Sequence, residues 1–214
     1  MSAPRLLVDI AADFVCPWCY IGLRSFMAAK DGLEADYQVV ARFRAYQLSA
    51  DTPQEGVDRE AYYEKRFPDP AFRAEARKRL AASAAEAGFE FDPSIPKRLP
   101  NTLKAHCLLR AAHFEGVHEA VALALYQGYW EGGADLGDDE TLVRLAANAG
   151  MAEATARGTL ASSESREETL AEAAAMARAG VQGVPTFIVN ERTGFSGALP
   201  PATLTAALRK AAGA

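Results

Sequence analysis

The chain has 214 residues, half of them hydrophobic, and a net charge of −5, with its 23 lysines and arginines scattered along its length. That length allows one substantial domain, or a domain with a large insertion, built on a core of its own, while the scattered bases exclude the electrostatic footprint of a nucleic-acid or anionic-membrane binder. No stretch reaches the ~18 to 20 apolar residues of a membrane span, and Met1-Ser2-Ala3-Pro4 leads straight into a strand pattern without the basic and apolar regions of a secretory signal, so a cytoplasmic protein is expected.

Residues 6–10 form a nearly continuous apolar run, the pattern of a strand covered on both faces. Cys16-Pro17-Trp18-Cys19 follows directly. Pro17 fits a first helical position, because it lacks the N–H that would go unpaired there and its φ is already helical. The spacing predicts a helix over 17–30, ended near Gly32. Tyr37, Val39, Ala41 and Phe43 alternate with Gln38, Arg42 and Arg44, which predicts a second strand and so a βαβ unit. From about 57 to 180 helical signals replace strand signals. Asp69-Pro70 opens a helix that ends at Gly88, and Asn101-Thr102 opens one that Gly116 closes. Another runs from Val117 toward Trp130, Asp138 starts one that Gly150 ends, and a last helix leads to Gly180. Arg77-Lys78-Arg79, the densest basic run, lies within the first of these helices and reads as a solvated face. Strand patterns return at 186–190, then a turn over 191–194 and Phe195-Ser196-Gly197 suggest a hairpin. Pro201 opens a final amphipathic helix with Leu204, Leu208 and Ala211 on one face. Two β-rich pieces around a helical block imply an α/β fold, one sheet domain interrupted by a large all-helical insertion.

Two thiols placed where a strand turns into a helix point to redox exchange. Cys16 stands at the helix N-terminus, where unpaired amides and the positive end of the macrodipole favour a thiolate, and is the expected nucleophile. Cys19, one turn on, shares a stripe with Leu23, Phe26 and Met27, so it should face the core and act as the resolving thiol. A structural zinc would need a second ligand pair, and the one further cysteine is Cys107, beside His106, so no metal is expected. Cys107 lies among Leu103, Leu108, Leu109 and Ala111 and reads as a small core residue. A permanent disulfide is equally unneeded in a chain of this size in a reducing compartment. Asp9, an acid in an apolar strand, and Asp13, in the loop after it, are candidate proton shuttles for Cys19; the alternatives are a strand-end aspartate and a solvated loop aspartate. Phe14, Pro17 and Trp18 offer apolar surface beside Cys16 for a peptide-like substrate, or else pack in the core. Exchange through a mixed disulfide needs no bound cofactor, and its partners would be disulfide-containing proteins or low-molecular-weight thiols, with glutathione as a reductant.

Cys16-Pro17-Trp18-Cys19-Tyr20-Ile21-Gly22, Gly183-Val184-Pro185-Thr186-Phe187 and, between them, Leu99-Pro100-Asn101-Thr102 with Ala105-His106 resemble the DsbA-like thioredoxin-fold oxidoreductases of the FrnE type, over nearly the whole chain. The resemblance implies a thioredoxin-like fold of residues 1–57 and 181–214 with an all-helical lid, 58–180, inserted after the second strand. It also implies a cis Val184-Pro185 bond, with the Val184 backbone facing the cysteines and pairing with an extended substrate; the residues alone suit an ordinary trans proline opening a strand. It places Asn101 and His106 at the border of the cleft as substrate-binding candidates, where by themselves they read as a helix N-cap and a partly buried helix residue. Gly197-Ala198-Leu199-Pro200 departs from the polar residue the family often has before this proline. The glutathione-dependent 2-hydroxychromene-2-carboxylate isomerases and kappa-class glutathione transferases share the architecture, but typically carry serine at the position of Cys16 and take glutathione as co-substrate. The cysteine pair favours the oxidoreductase. A non-catalytic peptide-binding module is the third alternative, and either a monomer or a homodimer fits the sequence.

Overall fold

The computed structural model of the chain describes residues 3–213; Met1, Ser2 and Ala214, at the ends of the expected thioredoxin-like segments, lie outside the described residues. The chain opens with β1 (Arg5–Ala12), α1 (Pro17–Asp31) and β2 (Gln38–Ala45). The insertion follows as β3 (Val57–Asp58), α2 (Arg59–Arg66), α3 (Pro70–Glu86), β4 (Arg98–Leu99), α4 (Leu103–Phe114), α5 (His118–Trp130), α6 (Asp139–Asn148), α7 (Glu153–Ala161) and α8 (Ser163–Arg178). β5 (Thr186–Val189), β6 (Thr193–Ser196) and α9 (Pro201–Ala212) close the fold.

The main sheet runs β2-β1-β5-β6. β1 lies parallel to β2, as the βαβ unit requires, and antiparallel to β5, which pairs antiparallel with β6. The apolar run of β1 follows from its central place. Val8 and Ile10 stand opposite Val189 and Phe187, and the Phe187 ring packs on Phe26 of α1, so this face is closed by α1 together with α9, whose Leu204 and Leu208 are buried. The intervening residues of β1 face the other way. There Asp9 stands opposite Arg42, and Glu172 of α8 bonds Arg44, so helices of the insertion cover the second face of the sheet.

Three local expectations are corrected. The insertion is not wholly helical, because Val57↔Leu99 and Asp58↔Arg98 form a two-residue antiparallel ladder. The last helix before Gly180 is two, α7 and α8, broken at Ser162, whose hydroxyl caps α8 by accepting from the Ser165 N–H at 3.1 Å. A serine marks such a break weakly when good helix formers flank it. The hairpin turn begins earlier than 191: Asn190 and Glu191 adopt φ of 50° and 59°, the Arg192 N–H closes onto the Val189 carbonyl at 3.0 Å, and Gly194 lies within β6. Asn190 suits that conformation, and its side chain accepts from the Leu7 N–H at 3.1 Å while its own N–H donates to the Leu7 carbonyl at 2.9 Å.

Candidate active site

The loop between β1 and α1 folds into a turn, with the Cys16 N–H donating to the Asp13 carbonyl at 3.1 Å. Cys16 is the N-cap of α1, in extended conformation with Pro17 behind it, and its side chain does not cap the helix. The sulfur is therefore left for other work. It reaches the carbonyl of Val184 at 3.8 Å, across a Val184–Pro185 bond that is cis. Gly197 N–H holds the Pro185 carbonyl at 2.9 Å, and Gly22 of α1 packs against the proline ring so closely that a Cβ there would lie 2.9 Å from Pro185 Cγ. Both thiols are free; Cys16 is 5% exposed and Cys19 1%.

Cys19 lies one turn behind, on the stripe expected for it, with Leu23 and Phe26 also buried. Burial pushes its thiol well above the usual range, the hydrogen bond and charge of Cys16 push the same way, and the Asp13 N–H, donating to Cys19 Sγ at 3.5 Å, partly opposes them. A sulfur so disposed stays protonated unless a neighbouring base takes its proton.

Asp13 and Asp9 part company. Asp13 is not a solvated loop residue: it is 1% exposed, its Oδ2 accepts from the Leu48 N–H at 2.7 Å, and its Oδ1 has no hydrogen-bond partner. Its charge acts on Cys19, Tyr126 and Tyr129. Asp9, the more conspicuous acid in the sequence, is withdrawn from any shuttle role by its partners. Arg42 Nε and Nη2 hold Oδ1 and Oδ2 at 2.7 and 2.6 Å, and Arg44 Nε holds Oδ1 at 2.7 Å. Arg42 also reaches Glu191 at 2.6 Å and Arg44 reaches Glu172 at 2.9 Å, so this is an ion-pair network on the sheet face opposite α1.

Of the apolar platform, Trp18 is 36% exposed beside Cys16 and Pro17 is half-buried. Phe14 is not part of that surface. Its ring is buried between His106 at 4.9 Å and Tyr126 at 4.8 Å, and its carbonyl accepts from Trp130 Nε1 at 3.0 Å. The insertion thus grips the segment that bears the thiols. Asn101 and His106 are likewise engaged inside the protein. Asn101 Oδ1 accepts from the Leu103 N–H and Gln47 Nε2 at 3.0 and 3.1 Å, and Nδ2 donates to the Thr52 carbonyl at 2.7 Å, which ties the loop after β2 to the start of α4. His106 is 4% exposed, with Nε2 3.1 Å from the Tyr46 carbonyl and 3.7 Å from Asp13 Oδ1.

Tyr126 is the residue that sequence reasoning passes over. Its ring is buried and stacks on Tyr20 at 5.6 Å; burial, then the charges of Cys19 and Asp13, raise its hydroxyl well above an ordinary phenol. An aromatic triplet Tyr126, Tyr129, Trp130 at the end of α5 was the available signal. Arg59 of α2 braces the far side, its guanidinium 5.3 Å from both the Tyr63 and Trp130 rings and its Nη1 donating to the carbonyls of Pro93, Ile95 and Pro96. Among the described residues no cluster of three or more histidine, cysteine or acidic side chains is placed to hold a metal, and no helix is long and apolar enough to cross a membrane.

Among solved structures, the chain is similar to a probable DsbA oxidoreductase from Streptomyces coelicolor, at 30% identity, with a TM-score of 0.87 over 98% of this chain and 91% of that one. It shares its fold with a 2-hydroxychromene-2-carboxylate isomerase, at 18% identity, a TM-score of 0.67 and 95% of each chain. The cytosolic disulfide reductase DsbM from Pseudomonas aeruginosa, in a structure with GSH, has the same fold at 18% identity, a TM-score of 0.65, and 95% of this chain and 98% of that one. No curated protein sequence matches. Residues 7–209 match the model of the DSBA-like thioredoxin domain, and the chain belongs to that family.

Proposed function

We propose that this protein is a thiol–disulfide oxidoreductase in which Cys16 is the nucleophile and Cys19 the resolving thiol. The observation that carries this is the asymmetry of the pair. Cys16 Sγ stands at the front of α1 without capping it, facing the Val184 carbonyl, at a helix end where backbone N–H groups favour negative charge, and Cys19 sits buried one turn behind with its thiol raised. As thiolate, Cys16 attacks one sulfur of a substrate disulfide; a Cys16–substrate S–S bond forms and the second substrate sulfur leaves with the electron pair as a thiolate. Cys19 gives its proton to Asp13 and attacks Cys16 Sγ, which forms the Cys16–Cys19 disulfide and releases the remaining substrate thiolate. The substrate gains two electrons and the dithiol loses two. The oxidising direction runs the same steps in reverse.

Trp18 and Pro17 offer apolar contact, and the Val184 carbonyl a backbone partner, to an extended substrate beside Cys16. The substrates are disulfide-containing proteins or low-molecular-weight disulfides, the location is the cytoplasm, and glutathione restores the dithiol without being a resident cofactor. The likeness to a cytosolic disulfide reductase studied with GSH supports that setting. Cys19→Ser tests the reading: it should trap mixed disulfides that depend on Cys16. No trapping, or equal trapping through Cys107, refutes it. The fold shared with the isomerase supports a second reading, glutathione-dependent isomerase or transferase chemistry; activity that survives Cys16→Ser and vanishes with glutathione would establish it instead.

A further inference from the structure

We infer that His106 is a positioning residue for the proton step of this exchange, its Nε2–H keeping the buried Asp13 carboxylate charged and able to take the proton of Cys19. The inference rests on the thiol–disulfide reading above. A carboxylate sealed from water is costly unless donors or positive charge compensate it. Asp13 has one donor, the Leu48 N–H on Oδ2, and its Oδ1 is unpaired. Among the described residues no lysine or arginine bonds it. His106 Nε2 stands 3.1 Å from the Tyr46 carbonyl, and because a carbonyl only accepts, this nitrogen carries the hydrogen. The same N–H edge lies 3.7 Å from Asp13 Oδ1, beyond a good hydrogen bond but near enough for its positive dipole to act in a low-dielectric interior. The ring is buried and packed on Phe14 at 4.9 Å, so this orientation is held rather than sampled.

The titratable groups around this carboxylate are Cys16 and Cys19 on α1, His106 on α4, and Tyr126 and Tyr129 on α5; Arg59 of α2 acts on Tyr129. The thiols and phenols all become negative on ionising. Among these described residues, His106 is the one that turns the positive end of an N–H dipole toward the unpaired Asp13 oxygen. In the resolving step the Cys19 proton passes to Asp13, and from Asp13 to the departing substrate thiolate or to solvent, so electrons and protons balance with no further reactant.

Reaction of the reduced protein with 5,5′-dithiobis(2-nitrobenzoate) reads both steps in one trace. The first thionitrobenzoate released reports attack by Cys16, and the second reports resolution by Cys19. Followed against pH, His106→Leu and the ring-preserving His106→Phe are expected to move the half-maximal pH of the second phase upward by about one unit, roughly a tenfold loss of rate on the acid limb, with the first phase unchanged. His106→Gln, which restores an N–H donor, should return the limb close to that of the natural protein. In an Asp13→Asn background the Leu and Phe changes should add nothing. An unmoved second phase in folded Leu or Phe variants overturns the inference, as does a Gln variant that behaves like them, or an effect that persists without Asp13. A natural protein that releases only one thionitrobenzoate overturns the exchange reading itself, and the two failures are told apart by that count.

Discussion

Replacing Gly22 by alanine sets two effects of known size against each other. Gly22 lies inside α1, and alanine in a helix interior is worth about 0.8–1 kcal/mol over glycine. Against this, the new Cβ would lie 2.9 Å from Pro185 Cγ and 3.4 Å from Pro185 Cβ. Both are ring atoms that no side-chain rotation can move aside, and overpacking of this kind costs about 1–3 kcal/mol. The net expectation runs from neutral to about 2 kcal/mol destabilising. Gly158→Ala isolates the first effect, because Gly158 lies inside α7 and an added Cβ meets nothing within 4 Å, so it should stabilise by about 0.5–1 kcal/mol. The difference between the two variants in urea unfolding measures the contact of α1 with Pro185. That contact also fixes where the Val184 carbonyl stands relative to Cys16 Sγ, now 3.8 Å away. A displacement of a few tenths of an ångström should lower kcat/KM for a disulfide substrate by about tenfold, less than the ~100-fold of a full 1 Å misplacement. Gly22→Ala that gains stability as Gly158→Ala does, with turnover unchanged, refutes the argument.

Burial raises Cys19, Tyr126 and Tyr129 in the folded protein above unfolded values of about 8.5 and 10, so the folded chain keeps protons that the unfolded chain releases. Stability should therefore fall as pH rises through that range; a urea midpoint at pH 10.5 equal to or above that at pH 8 contradicts it. Asp9→Asn leaves Arg42 and Arg44 without their shared partner. Breaking a buried pair costs ~3–5 kcal/mol, but both guanidiniums are about a quarter exposed and keep Glu191 and Glu172, so about 1–3 kcal/mol is expected. The pH profile of the resolving phase should not move, and a shift would return Asp9 to the proton path. Trp18→Ala should alter the unfolding midpoint by no more than about 0.5 kcal/mol, as a partly exposed site does, yet raise KM for an unfolded-protein disulfide several-fold more than for a small aromatic one. Equal changes for both substrates would remove Trp18 from the binding surface.

The thiol pair was legible because its chemistry is local. Pro17 fixes where α1 begins, the helical period then places Cys19 with Leu23 and Phe26, and nothing distant is needed to know which sulfur leads. The acids were not legible in the same way. Asp9 interrupts an apolar strand and so draws attention, whereas the residues that answer it, Arg42 and Arg44, lie on a strand whose register brings Arg42 opposite; two arginines spaced i, i+2 were the signal for that pairing. Asp13 carries no local mark of burial. Its surroundings are set by Leu48 after β2, His106 on α4 and Tyr126 on α5, and by Trp130 Nε1 on the Phe14 carbonyl, contacts that span 35 to 116 residues. Asn101 was legible in part: its side chain accepts from the Leu103 N–H at the start of α4, as a capping residue does, but its partners Gln47 and Thr52 sit in a loop that only the fold brings near. It follows that the insertion does more than cover a cleft. A βαβ unit with its closing hairpin can place a cysteine at the front of a helix, but here it is α4 and α5 that surround the carboxylate beside it. Variants of His106 and Tyr126 should therefore alter the resolving step more than the first attack, which depends on the front of α1 and on the Val184–Pro185 segment facing it.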